Sequence, residues 1–273
     1  MKATILVDNY VPNKFELIGE PSFSCLVEAD GLKILFDTGM SGIPFDNARK
    51  ISLDLSDVTH VVLSHGHLDH TWGMENFIRR YPPNGKVKLI CHPDALQSKI
   101  FGRKNIGMKR DESYLQRHFE IQKSKRPHWI SDKIVFLGEI ERKNDFEAKI
   151  PIGRARKDGF FSDDYMLDDS ALAIDGKDGI GIVTGCSHSG ICNIAEYAKK
   201  VIGKEKIAFI LGGFHMQSED ADSDIVVKTV RCLEGLGVER MLPCHCTNML
   251  GKIAIGKAMK TVEVGTGSVI EFH

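Results

Sequence analysis

Within Ser64-His65-Gly66-His67-Leu68-Asp69-His70, four potential metal ligands (His65, His67, Asp69 and His70) fall inside six residues. Three imidazoles this close gain nothing from packing and repel one another once protonated. Neutral imidazole and carboxylate are, however, the donors that Zn, Mn or Fe prefer. Alternate residues of an extended loop point the same way, so His65 and His67 can grip one ion. Asp69 and His70 then face the next position, suited to a second ion roughly 3.5–4 Å away. The alternative is a His-rich surface loop with no ion, and three further histidines weigh against it. His188 lies in TGCSHSG directly after GIGIV, His215 follows KIAFILGGF, and His245 follows ERMLP between Cys244 and Cys246. In open α/β sheets ligands gather at the carboxyl ends of strands. His188 and His245 are therefore expected as metal ligands, and His215 as a residue facing substrate, with Gly212 and Gly213 letting backbone approach there. Asp37, in LFDTG, is a candidate to orient a metal-bound imidazole by accepting its free N–H; a plain turn Asp before Gly39 is the other reading. Cys244 and Cys246 have no second cysteine pair at matching spacing, so they are read as packing around His245, not as a four-cysteine zinc site.

The elements that must carry these residues are strand-rich. Residues 3–9, 24–29 and 33–37 are short apolar or β-branched runs, the last two separated by Asp30-Gly31, a hairpin signal. A short helix over 44–50, a buried strand over 58–63, a short helix over 71–80 and a strand over 86–91 follow. From 171, ALAID and GIGIVTG read as a strand pair, 190–201 as a helix, KIAFILGG as a strand, 222–236 as a helix, ERMLPC as a strand and 247–259 as a helix. TVEV and SVIEF are expected to close the chain in β. Strand pairs opening each half, followed by β–α units, predict two similar halves in a four-layer αββα sandwich of mixed α/β class. The whole chain, 1–273, reads as a single domain. The stretch 102–170, basic at first, is expected as an excursion that could cap a site, with a solvated loop as the alternative.

Composition narrows the function classes. The chain has 273 residues, with 36 Lys+Arg against 37 Asp+Glu, which removes the electrostatic footprint of a general nucleic-acid binder. Hydrophobic residues at 42% and charged residues at 27% exclude a disordered chain. No apolar run is long enough to span a membrane, and the start lacks the apolar core of a signal peptide. Seven cysteines, an odd number, favour free thiols in a reducing cytoplasm. Neither a phosphate-binding P-loop nor a G-x-S-x-G nucleophile elbow occurs. A small-molecule partner is expected; oligomeric state is left open.

LFDTG at 35–39, LSHGHLDH at 63–70, FLGEIER at 136–142, TGCSHSGICNI at 184–194, LGGFHM at 211–216 and PCHCT at 243–247 together resemble the metallo-β-lactamase superfamily. Within it the chain resembles the branch named after the dihydropterin-ribofuranosylaminobenzene-phosphate synthase. The resemblance implies a binuclear site, with His65, His67, Asp69 and His70 carried over from HxHxDH and His245 as the late histidine. Most members have a bridging Asp after the strand matching GIVTG, where this chain has Gly185-Cys186. His188 is assigned as the ligand from this segment, with Cys186 kept as the alternative. The usual middle histidine is absent too, and Asp168-Asp169 stand in its place. The function expected is a metal-dependent hydrolase or phosphoester-handling enzyme acting through two divalent ions, Zn, Mn or Fe. Between them a water would fall in pKa from about 15.7 toward roughly 7 and attack as hydroxide. Asp69 and His215 are the expected catalytic residues, His215 as an acid or oxyanion donor. Synthase-type transfer and a non-catalytic metal-dependent binding module are the alternatives. Arg142 and Arg154 are candidates to meet a substrate phosphate, with a surface-charge role as the other reading for each.

Overall fold

A computed structural model describes all residues except 13, 15, 84–86, 219, 221 and 273. β1 (Lys2–Val7), β2 (Ser24–Ala29) and β3 (Leu32–Phe36) form an antiparallel meander. α1 (Ile43–Lys50) leads into β4 (His60–Val62), and α2 (Leu68–Thr71) with α3 (Met74–Arg80) leads into β5 (Lys88–Cys91). β3, β4 and β5 run parallel. After them come β6 (Lys99–Phe101), β7 (Lys104–Asn105), α4 (Glu112–Gln116), β8 (Glu120–Lys123), β9 (His128–Trp129), β10 (Ile134–Phe136), β11 (Arg154–Lys157) and β12 (Phe160–Asp163). The second half repeats the scheme. β13 (Ala171–Asp175) and β14 (Ile180–Thr184) are antiparallel, then α5 (Ile191–Ile202), β15 (Ile207–Gly213), α6 (Asp224–Gly235) and β16 (Met241–Cys244) continue in parallel. α7 (Met249–Ala258) and β17 (Val269–Glu271) complete it.

The sheets have the orders β17-β1-β2-β3-β4-β5-β8 and β16-β15-β14-β13-β10-β9. Period-two alternation sorts their side chains. Ile34, Phe36 and Val62 join Phe136, Leu172, Val183 and Leu211 in a core between the two sheets. Leu35 and Val61 point the other way, onto Phe45 and Ala48 of α1 and Met74 and Phe77 of α3. Ala171, Ile182 and Ile210 pack outward against Ile194 of α5, Val226 of α6 and Ile255 of α7. Burial on both faces is why these strands read as continuous apolar runs. The result is the expected four layers, helices–sheet–sheet–helices. All seven cysteines are free, and no helix among the described residues is long and apolar enough to cross a membrane.

Three expectations need correction. The helix expected over 71–80 is broken in two. Gly73 donates its N–H to the Gly39 carbonyl at 2.9 Å and not to the carbonyl one turn back, which interrupts the helical ladder, and glycine is required there because a Cβ would strike the Thr38 carbonyl. TVEV is not a strand: only Thr261 bridges Met241 before the chain turns toward β1. The stretch 102–170 is not one excursion, because β8 extends the first sheet and β10 lies inside the second. β9 ends the second sheet beside β10, and β7, β11 and β12 join β6, just before the stretch, in a small sheet, β12-β11-β6-β7. The strand expected over 86–91 is present from Lys88, and Lys86 lies outside the described residues.

Candidate metal centre

Parallel strands of both sheets aim their carboxyl ends at one edge, and the chemistry-bearing residues follow those ends. Asp37 leaves β3, His65 and His67 leave β4, Cys186 and His188 leave β14, His215 leaves β15 and His245 leaves β16. Asp37, Ser187, His215 and His245 hold left-handed backbone, with φ of 56°, 59°, 49° and 49°. Such conformations persist in non-glycine residues only where surroundings impose them, and named contacts do so here. Ser64 donates its N–H and hydroxyl to Asp37, each at 2.7 Å. The Ser187 hydroxyl donates to the Gly213 carbonyl at 2.7 Å, and the His245 N–H to Asp8 Oδ1 at 2.6 Å. Glycine is needed where the loops touch: a Cβ on Gly213 would lie 2.6 Å from Cys246 Sγ, and one on Gly185 would enter the Ser64 side chain.

The side chains converge into two groups. His65, His67 and His188 face one another with ring centroids 4.8, 4.8 and 5.0 Å apart. In the other group Asp69 Oδ2 lies 3.5 Å from His70 Nε2 and 3.3 Å from His245 Nε2. Cys186 belongs to both. Its Sγ is 3.2 Å from His70 Nε2, and ligand atoms of His65, Cys186 and His188, like those of Asp69, His70, Cys186 and His245, all lie within 4.8 Å of one another. Both alternatives posed by the sequence, His188 and Cys186, face the site.

Nitrogen by nitrogen, the rings are set for coordination. His70 Nδ1 donates to Asp37 Oδ2 at 2.7 Å. His65 Nδ1 meets the Ser64 hydroxyl at 2.8 Å, and that hydroxyl is committed to Asp37, so one carboxylate orients two imidazoles. His245 Nδ1 is held by Asn9 Oδ1 at 3.0 Å. What remains is a set of buried nitrogens with no hydrogen-bond partner: Nε2 of His65, His67 and His245, and both nitrogens of His188. Leaving them bare is costly. Burial, then neighbouring cations, holds His65 and His188 well below the usual imidazole range and His67 down at about 4, so these rings are neutral donors. Burial opposes charge on His70 as well, but the carboxylates of Asp69 and Asp37 outweigh it and raise His70 to about 10. A donor set of imidazole, carboxylate and thiol around unpartnered nitrogens fits divalent transition metals.

A family model for the metallo-β-lactamase superfamily matches residues 17–89. A 7,8-dihydropterin-6-methyl-4-(β-D-ribofuranosyl)-aminobenzene-5'-phosphate synthase of Methanocaldococcus jannaschii is 32% identical over 83% of this chain and 80% of its own length. The chain belongs to the metallo-β-lactamase superfamily. An uncharacterized protein of the same organism is 35% identical over 97% of the chain and 98% of its own length. Among solved superfamily structures, Tm1679, a metal-dependent hydrolase, superposes with a TM-score of 0.85 at 29% identity, covering 100% of this chain and 99% of that one.

Several positions in this superfamily member were not legible beforehand. Asp168 and Asp169, standing where a histidine is usual, each clasp a ligand loop. Asp168 Oδ2 accepts the Gly66 N–H at 2.8 Å, and Asp169 Oδ2 accepts the Ser189 N–H at 2.9 Å and its hydroxyl at 2.5 Å. Buried Lys99 donates to Asp168 at 2.8 Å and to Asp164 at 2.6 Å. Nothing in the run SKIF marks that lysine; the adjacent acidic pair before ALAID was the available signal. Cys246 is more than packing, because its Sγ accepts the His215 N–H at 3.3 Å. His215 itself stands outside both ligand groups, exposed, with its ring 4.5 Å from that of His188. Arg142 and Arg154, expected at a substrate phosphate, do not line the cavity beside His188. Arg142 donates to the carbonyls of Tyr165 at 2.6 Å and Met166 at 2.9 Å, and Arg154 to that of Phe161. Each guanidinium group thus has at least one nitrogen on loop backbone.

Proposed function

We propose that this chain is a metal-dependent hydrolase of a small substrate, working at a two-ion centre. The observation that carries the reading is the convergence of unpartnered, buried imidazole nitrogens on His65, His67, His188 and His245. His65, His67 and His188 would hold one ion, Asp69, His70 and His245 the other, with the Cys186 thiol between them. Bound there, divalent ions such as Zn, Mn or Fe supply Lewis acidity and lower the pKa of water toward about 7. Asp37 fixes the ring orientations of His70 directly and of His65 through Ser64, and Asn9 holds that of His245, leaving the Nε2 atoms free for an ion. His215, at the open edge beside His188, is placed to give a proton to a leaving group or to hold a developing oxyanion. Balanced charge suits a small-molecule partner, and seven free thiols suit the cytoplasm. The test is turnover by metal-loaded protein of a lactone, a β-lactam and bis-p-nitrophenyl phosphate. Hydrolysis abolished by chelation supports the reading; loaded protein inert to every member of a broad ester, lactone, amide and phosphoester panel counts against it.

Synthase chemistry is the second reading, favoured by the 32% identity to the Methanocaldococcus enzyme over most of both chains. There the same residues would bind a phosphorylated or pterin-like substrate during C–C or C–N bond formation. Product formation from a dihydropterin and an aminobenzene ribosyl phosphate, without ester hydrolysis, would select it.

A further inference from the structure

A cavity of about 420 Å³ opens beside the candidate centre, inside the roughly 300–1,000 Å³ range of small-ligand sites. Its inner wall is His188 and His215. The rest of the lining is largely apolar, with Phe146, Ile150 and Ile152 from one segment and Phe214, Ile225 and Val226 from others. Ile150 is 81% exposed and Ile225 49% exposed, although both belong to this lining. Apolar surface left bare beside a polar centre is free energy available to an apolar ligand.

The charged lining residues point the same way. Among the described lining residues Lys149 is the one Lys or Arg, and its Nζ donates to the Asn144 carbonyl at 3.0 Å. Glu147 is consumed by the N–H groups of Cys192 at 3.1 Å and Asn193 at 3.2 Å, at the start of α5. Neither Arg142 nor Arg154 lines this cavity, so among its described lining residues a phosphate would find one lysine.

We propose that this cavity takes a hydrocarbon chain. The substrate class would be a carboxylic ester, thioester or lactone with a medium-length apolar chain, its carbonyl end at His188 and His215. On hydrolysis the acyl–heteroatom bond breaks, water's hydroxyl goes to the acyl carbon, and its proton goes to the leaving oxygen or sulfur. The proposal rests on the hydrolase reading in placing the reaction at the paired ligand groups.

Titration calorimetry of the metal-loaded full chain with linear carboxylates from butanoate to decanoate tests it, beside inorganic phosphate and ribose 5-phosphate. Binding should tighten by about threefold to fourfold per methylene until the cavity is filled. Ile150→Asp and Ile225→Asp each lie outside the packed core and should keep the wild-type Tm while weakening decanoate binding by about tenfold or more. Affinity independent of chain length, or ribose 5-phosphate binding more tightly than decanoate, would overturn the proposal. Because binding is read without turnover, lack of hydrolysis would sink the hydrolase reading and leave this result to be judged by itself.

Discussion

Cys186 stands between the two ligand groups, where most superfamily members carry a carboxylate, and its thiol is buried against His70 Nε2. A donor shared by both groups has a different signature from one confined to a single group. His188→Ala should therefore lose one ion and keep the other, whereas Cys186→Ser should weaken both. Elemental analysis after dialysis reads the difference, and Cys186→Ser protein that keeps two tightly bound ions would count against a shared thiol. His67→Ala and Asp69→Ala should each cut turnover by at least about a hundredfold, more than loss of an outer partner costs a metal site. Circular dichroism should remain native, since both residues stand on loop and short helix outside the sheets. Unfolding of both variants would instead make the cluster structural.

At the scale of elements, strand ends were legible because the apolar runs stop abruptly at Asp37, Ser64, Cys186, Phe214 and His245. The contacts that hold those ends were not. Lys99 and Asp168 lie 69 residues apart in sequence, and no local pattern links an amine in β6 to the backbone of Gly66. Asp168→Ala should release the Gly66 loop and weaken the first ion about 10–100-fold, as loss of an outer anchor does, measured by competition with a chromogenic chelator. Lys99→Met leaves the Asp164 and Asp168 carboxylates buried without their cation and should cost about 3–5 kcal/mol in urea unfolding. On β4, His60 reports pH. Burial, reinforced by Lys88, lowers its folded pKa from 6.5 to about 4. The unfolded chain then takes up the proton first, so this contribution to stability is complete above pH 6.5 and is lost as pH falls toward 4. His60→Gln should have a flatter Tm-against-pH curve across that window, and an unchanged slope would contradict the assignment.

For the whole molecule, period-two burial on both faces of β3, β4, β14 and β15 made the two sheets and their helix layers readable from the chain. The interruptions were harder. A helix is interrupted at Gly73 because its N–H goes to Gly39, more than thirty residues away, and the middle stretch is shared among three sheets because β8 extends the first sheet while β10 and β9 extend the second. Arg142 and Arg154 illustrate the same limit at the site, since charge and position suggested phosphate contacts while both stand outside the lining of the cavity beside His188. Two halves meeting at one sheet edge is what brings six histidines from four strand ends together, and the central claim is that this meeting point holds a pair of ions. Anomalous diffraction from crystals grown with Zn, collected at and below the Zn edge, tests that most directly. Two peaks are expected, one among His65, His67 and His188 and one among Asp69, His70 and His245, with Cys186 Sγ between them. No peak, or peaks only at surface residues away from these side chains, would contradict it.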